Sequence, residues 1–193
     1  YTPGYDNTQE GYAAFRASTV LQSGALVINE ICASSITTLK DEDGDYPDWI
    51  EIHNTTNQTI DLSNYALSDS TDKLVKWRFP QGSVIEPNGY FVVFASKKDR
   101  AAAEGSWPHA NFKLRSNGET VILSDIQGRM VDMVTYDLLS ADTSWGRDEE
   151  DDGSFKVFTS PTPGLPNTRA GMTAMDTSLC LANTSGLYIT EVM

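Results

Sequence analysis

Between Gly24 and Asn167 the chain alternates apolar and polar positions with a period of two, and turn-forming residues interrupt it roughly every ten residues. Val75, Trp77 and Phe79 fall on one side of a half-buried strand, with Lys76 and Arg78 on the other. Ile50 and Ile52 alternate with Trp49, Glu51 and His53. Tyr90-Phe91-Val92-Val93-Phe94 is apolar on both faces, which predicts a central strand. Residues 119–123 and 130–136 flank Ser124-Asp125-Ile126-Gln127-Gly128-Arg129, a hairpin whose Gly128 suits a left-handed turn position. Pro87-Asn88-Gly89 is a further turn, with φ preset by the proline. Only residues 97–104 invite a short helix. Short strands with frequent turns and no alternating helices predict an all-β fold, an immunoglobulin-like antiparallel β-sandwich with short helical connectors at the ends. The antibody Cys…Trp…Cys spacing is absent, so the likeness is one of architecture.

The two ends of the chain match each other. Thr2-Pro3-Gly4 returns as Thr162-Pro163-Gly164, Asn7-Thr8 as Asn167-Thr168, Gly11 as Gly171 and Ala14 as Ala174. Ser23-Gly24 returns as Ser185-Gly186, and Leu26-Val27-Ile28-Asn29-Glu30-Ile31 as Leu187-Tyr188-Ile189-Thr190-Glu191-Val192. Ordered matches at a nearly constant offset are the signature of a tandem repeat. They divide the chain into 1–23 (tail of a preceding repeat and a helical connector), 24–167 (the β-sandwich), 168–186 (a second helical connector) and 187–193 (first strand of a following repeat). Asn7-Thr8 and Asn167-Thr168 offer N-caps for the connectors. Tyr12 and Phe15 align with Met172 and Met175, and Leu179 extends that apolar stripe, which is expected to dock on an adjacent sandwich. An unpaired first strand at 187–193 would expose edge groups and favour a homodimer through the C-terminal strand.

Composition narrows the partners. The formal net charge of −13 repels nucleic-acid phosphates and anionic lipid, so neither nucleic-acid binding nor membrane insertion is expected. Cys32 and Cys180 are too few and too far apart for a disulfide framework or a zinc site, and Cys32 on the first strand is expected to fill core. The chain opens on Tyr1-Thr2-Pro3-Gly4-Tyr5, with neither initiator Met nor secretory signal. We expect a segment of a longer protein whose targeting signal lies elsewhere.

Candidate chemistry is sparse. Asp41, Asp43 and Asp45, in the loop Lys40-Asp41-Glu42-Asp43-Gly44-Asp45-Tyr46-Pro47-Asp48, could meet one hard cation such as Ca²⁺; the alternative is a solvated acidic loop. An EF-hand is excluded, because Tyr46 and Ile52 stand where its Gly and Glu belong. The acidic run Asp148-Glu149-Glu150-Asp151-Asp152-Gly153 reads as a solvated turn. His53 shares a strand face with Glu51, as in a polar sheet surface or a cross-strand pair, and His109 follows Trp107-Pro108 in a loop. No Gly-x-Ser-x-Gly elbow, phosphate-binding glycine loop or H-E-x-x-H is present. Ser70-Thr71-Asp72-Lys73 fits S-x-x-K by chance, lying between strands without its partner motifs. No catalytic and no cofactor-binding residue is expected. Trp107 and Trp145 are candidates for stacking on a glycan or for ordinary packing.

A further set of residues resembles those of a known family. The resemblance rests on Ile28-Asn29-Glu30, Asp48-Trp49-Ile50-Glu51-Ile52 with Asn54, and Leu62-Ser63-Asn64-Tyr65-Ala66-Leu67-Ser68-Asp69. It continues through Trp77-Arg78-Phe79-Pro80, Gly89-Tyr90, Phe112-Lys113-Leu114, Gly118-Glu119 and Leu123-Ser124-Asp125. Ser144-Trp145-Gly146-Arg147 and the stretch Ser160-Pro161-Thr162-Pro163-Gly164-Leu165-Pro166-Asn167 close it. Taken together these residues resemble the lamin tail domain family, in its bacterial and archaeal surface-protein form, and the resemblance implies an immunoglobulin-like interaction module, accessory to large exported or cell-envelope proteins. The DNA affinity of nuclear relatives has no basic surface to carry it here. The expected function is therefore a non-catalytic interaction or spacer module of a tandem-repeat, extracellular or cell-surface protein, with protein partners or neighbouring repeats. The alternative is a calcium-stabilised adhesion or carbohydrate-binding module.

Overall fold

A computed structural model describes residues 24–184 together with Asp6 and Thr8. The expected first connector and the strand at 187–193 lie outside the described residues. The strands are β1 (Leu26–Cys32), β2 (Trp49–Asn54), β3 (Ile60–Asp61), β4 (Tyr65–Ser68), β5 (Trp77–Arg78) and β6 (Val84–Ile85). They continue as β7 (Tyr90–Phe94), β8 (Glu119–Asp125), β9 (Met130–Tyr136), β10 (Ser144–Arg147) and β11 (Phe155–Phe158), and helix α1 (Arg169–Thr184) follows. One sheet runs β11-β10-β1-β2-β7, a second β5-β4-β8-β9, and β3-β6 form a short ribbon. Every strand pair is antiparallel.

Alternation explains the two layers. Leu26, Ile28, Ile31, Ile50, Ile52 and Val93 of the first sheet meet Leu67, Val121, Leu123, Val131, Val134 and Tyr136 of the second in one buried cluster. Burying such side chains stabilises the fold by about 1.5–3 kcal/mol each. Smaller clusters cover the outer faces: Cys32, Trp49, Val92 and Phe94 on the first sheet, and Ile122, Met130 and Met133 on the second. Cys32 is a fully buried free thiol, pushed by burial up to about 12.

Several signature residues build turns. Asn54 Nδ2 donates to the carbonyls of Gln58, Ile85 and Glu86, while its Oδ1 accepts from Thr56. Asp61 accepts the Ser63 N–H and caps the 3₁₀ turn Leu62–Asn64. In the β8–β9 hairpin, Asp125 Oδ1 accepts the N–H groups of Gln127 and Arg129, and Gly128 takes φ +80°. An L-residue with a Cβ is strained there.

Two local expectations fail. Residues 90–94 form an edge strand, not a central one. Their apolar outer face is covered instead by Leu39 and Trp107, while Pro108 and Ala110 hydrogen-bond to Phe94 along the open edge. Residues 97–104 are not helical: Lys97 and Asp99 take φ +68° and +49°, and Arg100 bridges to His109. That path swings Lys98 back towards the loop at Asp41.

Strand β1 slips register between Ile28 and Glu30. At this bulge the Ile28 N–H donates to Asp132 Oδ2 (2.8 Å) and its carbonyl accepts Arg147 Nε (3.0 Å). Arg147 also pairs with Asp132 at 3.0 Å, so one ion pair serves both orphaned backbone groups and ties the two sheets. We predict that Asp132→Ala lowers stability by about 1–3 kcal/mol and Asp132→Asn by less, because the amide keeps an acceptor for Ile28. Urea denaturation of the two variants checks the order.

Candidate functional site

The bulge has a consequence on the outer face of the first sheet. It brings Glu30 directly opposite Glu51 on β2, with Gly146 of β10 on the other side of Glu30. Residues opposite each other across strands share a face. Both glutamates are fully buried (0% exposed). Two ionised carboxylates in that position repel, and no lysine or arginine bonds to either among the described residues.

Their partners are N–H and O–H donors from the stretch that closes the domain. Glu30 accepts from Ser144 Oγ and from the backbone N–H of Thr162 (3.2 Å). Glu51 Oε2 accepts the Gly164 N–H at 2.6 Å, and its Oε1 accepts Asn29 Nδ2 at 3.0 Å. A third acid, Glu149, folds inward from the acidic turn, accepting from Asn29 Nδ2, Tyr90 Oη (2.7 Å) and the Asn167 N–H (3.0 Å). Asn167 Nδ2 returns a hydrogen bond to the Asn29 carbonyl. Residues 162–167 are thereby latched across β1, β2 and β10. Gly146 makes the room: a Cβ there would lie 2.6 Å from Asn167 Nδ2 and 3.2 Å from Glu30 Cγ.

Burial raises the Glu30 pKa to about 7, against the opposing hydrogen bonds from Ser144 and Thr162. Burial, and then the charge of Glu30, lifts Glu51 well above the carboxylate range. Geometry agrees. The single Thr162 hydroxyl proton is committed to Asn167 Oδ1 at 2.6 Å, so the 3.2 Å contact from Thr162 Oγ1 to Glu30 Oε2 is satisfied when the carboxyl carries its own proton. His53 stacks on Tyr90 at 4.4 Å, the cross-strand pair the sequence allowed, and burial lowers its pKa.

The latch leads into α1. Glu150 Oε1 accepts the Arg169 N–H at 2.9 Å, and Thr168 Oγ1 accepts the Gly171 N–H at 3.0 Å. These capping bonds satisfy first-turn donors and set where the helix starts.

The predicted acidic loop is brought together as well. Asp41, Asp43 and Asp45 converge on Lys98 Nζ, at 2.5, 2.6 and 2.9 Å. Asp41 is buried and its Oδ1 accepts the N–H groups of Asp43 and Asp45, so it organises the loop. Arg100 pairs with Glu42 (2.7 Å) and Asp43 (2.5 Å). Desolvation acts to raise Glu42 but is outweighed by hydrogen bonds from its own backbone, Ser106 and His109, which hold it at about 2. Desolvation acts to lower the Lys98 pKa but is outweighed by its hydrogen bonds to the three aspartates, which hold it above the usual lysine range. Behind the loop, buried His109 takes Ser96 Oγ on Nδ1 (2.8 Å) and faces Glu42 on Nε2 (3.1 Å). These are the residue types of a hydrolytic relay, but Ser96 Oγ also accepts the Lys98 N–H and is almost wholly buried, closing a turn.

The remaining candidates are dispersed. Asp148 pairs with Lys156 and Asp152 accepts from Ser154, so the second acidic run supplies separate partners, with Glu149 turned inward. Ser70 lies in the turn after β4, accepting the Asp72 N–H. Trp145 stacks on Phe155 and Trp107 packs edge-on against Phe91; both are half-buried. Sequence reasoning passed over Glu30, Glu51 and Glu149. The available signal was a glutamate on each of two strands otherwise rich in apolar residues.

The two antiparallel layers, with polar residues spent on turns, buried hydrogen bonds and the latch, form an immunoglobulin-like β-sandwich. The family comparison gives the particular kind: the profile of the Lamin Tail Domain family matches residues 19–137, more than half of the chain, and the chain belongs to that family. The match ends before β10, β11 and the latch. A comparison with curated proteins finds no relative.

The raised pKa of Glu30 fixes a sign. A carboxyl that holds its proton more tightly when folded contributes stability that is complete below about pH 4.5 and is lost as pH rises through about 7. We predict that wild-type stability falls over that window relative to Glu30→Gln, on the order of 1–3 kcal/mol, in urea melts at stepped pH. Groups held low, such as Glu42, act below this window. His53 cancels in the difference.

Proposed function

We propose that the chain is one unit of a tandem array, a non-catalytic spacer and interaction module of an exported or cell-envelope protein, with neighbouring repeats and other proteins as its partners. The observation that carries the reading is the repeat itself. The stretch Thr162-Pro163-Gly164…Asn167, which latches onto the sheet and runs directly into α1, has a second copy at Thr2-Pro3-Gly4…Asn7. A segment whose sequence matches β1 begins again at Leu187. Clamping the start of α1 to the sandwich gives the array a semi-rigid joint. The acidic surface suits solubility in such an array and disfavours nucleic acid. A homodimer through residues 187–193 is part of this proposal.

The parent reading frame tests it. Further copies of the Thr-Pro-Gly-x-x-Asn and Ile-x-Glu-type segments at about the same spacing are expected, and a frame holding this unit alone overturns the array. The non-catalytic part is tested at Ser96: neither labelling by a fluorophosphonate nor ester turnover is expected, and turnover lost in Ser96→Ala would contradict it.

The acidic loop favours one second reading, calcium-stabilised adhesion. Its three aspartates already converge on a single cation, the Lys98 ammonium, and a calcium ion would compete for that place. On this reading the melting temperature rises with Ca²⁺, the rise disappears in Asp43→Ala, and Lys98→Met enlarges it. A melting curve unchanged by calcium or chelator removes the reading.

A further inference from the structure

We propose that the sheet face bearing Asn29, Glu30, Glu51 and Glu149 is a recognition site for a Thr-Pro-Gly-x-x-Asn segment, and that residues 2–7 are a second ligand of that kind, made for the same face on another copy of this fold. The inference rests on the tandem-repeat reading and names the contact by which one unit's exit segment is held.

Function and sequence identity coincide position by position. Thr162 supplies an N–H to Glu30 and a hydroxyl to Asn167 Oδ1, and Thr2 matches it. Gly164 donates its N–H to Glu51 at φ +83°, a left-handed position suited to glycine, and Gly4 matches it. Asn167 bonds to Glu149 through its backbone and to the Asn29 carbonyl through its side chain, and Asn7 matches it. Pro163 is buried and returns as Pro3. Leu165 and Pro166, which make no side-chain hydrogen bond to the face, are the positions that differ, as Tyr5 and Asp6. Of the matched residues, Thr162, Gly164 and Asn167 bond to the face and Pro163 is buried, whereas Leu165 and Pro166 offer it no side-chain hydrogen bond.

One residue of the receptor face recurs as well. In the register that aligns Leu187–Val192 with β1, Glu191 falls on Glu30. Both the ligand segment and a glutamate that receives it therefore recur, at opposite ends of the chain. The chain's own 162–167 holds the face at the high effective concentration of a tethered segment, so a free segment competes at millimolar concentration or when the tether's grip is weakened.

The test is a synthetic peptide of residues 1–8, Tyr-Thr-Pro-Gly-Tyr-Asp-Asn-Thr, titrated to about 1 mM into the full chain carrying Asn167→Ala. At tenfold excess over its dissociation constant it should raise the melting temperature by about 3–6 °C. It should also shift the backbone amide signals of Asn29, Glu51 and Ser144 and leave those of β4 and β5 in place. A peptide with Thr2→Ala and Asn7→Ala should do neither. If Asn167→Ala does not fold, the milder Thr162→Ser replaces it; if neither folds alone, recovery of the folded spectrum on adding the peptide is the expected result. No change with the native peptide, equal effect of the substituted peptide, or shifts confined to other surfaces overturns the proposal. A reading frame without further units would remove the array while leaving this binding result intact.

Discussion

Two glutamates face each other, fully buried, on neighbouring strands of one sheet, and no lysine or arginine among the described residues bonds to them. An isolated pair of buried charges would cost several kcal/mol, so the arrangement persists only if protons, hydrogen-bond donors or both meet the oxygens. The domain supplies donors from Ser144 and from the stretch Thr162–Asn167, and burial makes both carboxyls hold protons more tightly than exposed ones. Closing the domain and satisfying the glutamates are therefore one event. The bulge at Ile28, the absent side chain at Gly146 and the inward fold of Glu149 all make that event possible.

The second polar assembly works differently. Around Lys98 three aspartates meet a cation, at a site open enough that Asp45 stays mostly exposed. Exposed pairs of this sort contribute little individually, but Asp41, buried and accepting two backbone N–H groups, sets the loop's course. One assembly is nearly dry and proton-dependent and governs the exit of the chain. The other is wet and ion-paired and shapes a loop.

Much of the architecture was legible because period-two alternation at Val75–Phe79 and turn chemistry at Pro87–Gly89 and Asp125–Arg129 reflect local preferences. The place of β7 was not, since covering an edge strand's face with a distant loop looks, in sequence, the same as centrality. The failed helix at 97–104 has a tertiary cause as well: Lys98 is drawn towards three aspartates more than fifty positions away. For the candidate site, spacing alone brought Asp41, Asp43 and Asp45 to attention, and they do converge. Glu30 and Glu51 stayed hidden, because alternation assigns a strand glutamate to solvent unless another segment is known to cover that face. The repeat of Thr-Pro-Gly-x-x-Asn was visible from the start; its chemical meaning required seeing which atoms those residues touch.

The most direct measurement is amide hydrogen exchange at Gly164, the donor to Glu51, in the wild-type chain and in Glu51→Ala. If the buried carboxyls hold the exit segment, this amide exchanges as slowly as those of β1 and β2, and loses that protection in the variant while β8 and β9 keep theirs. Wild-type exchange at the pace of an exposed loop, or protection unaltered by the substitution, would contradict the account.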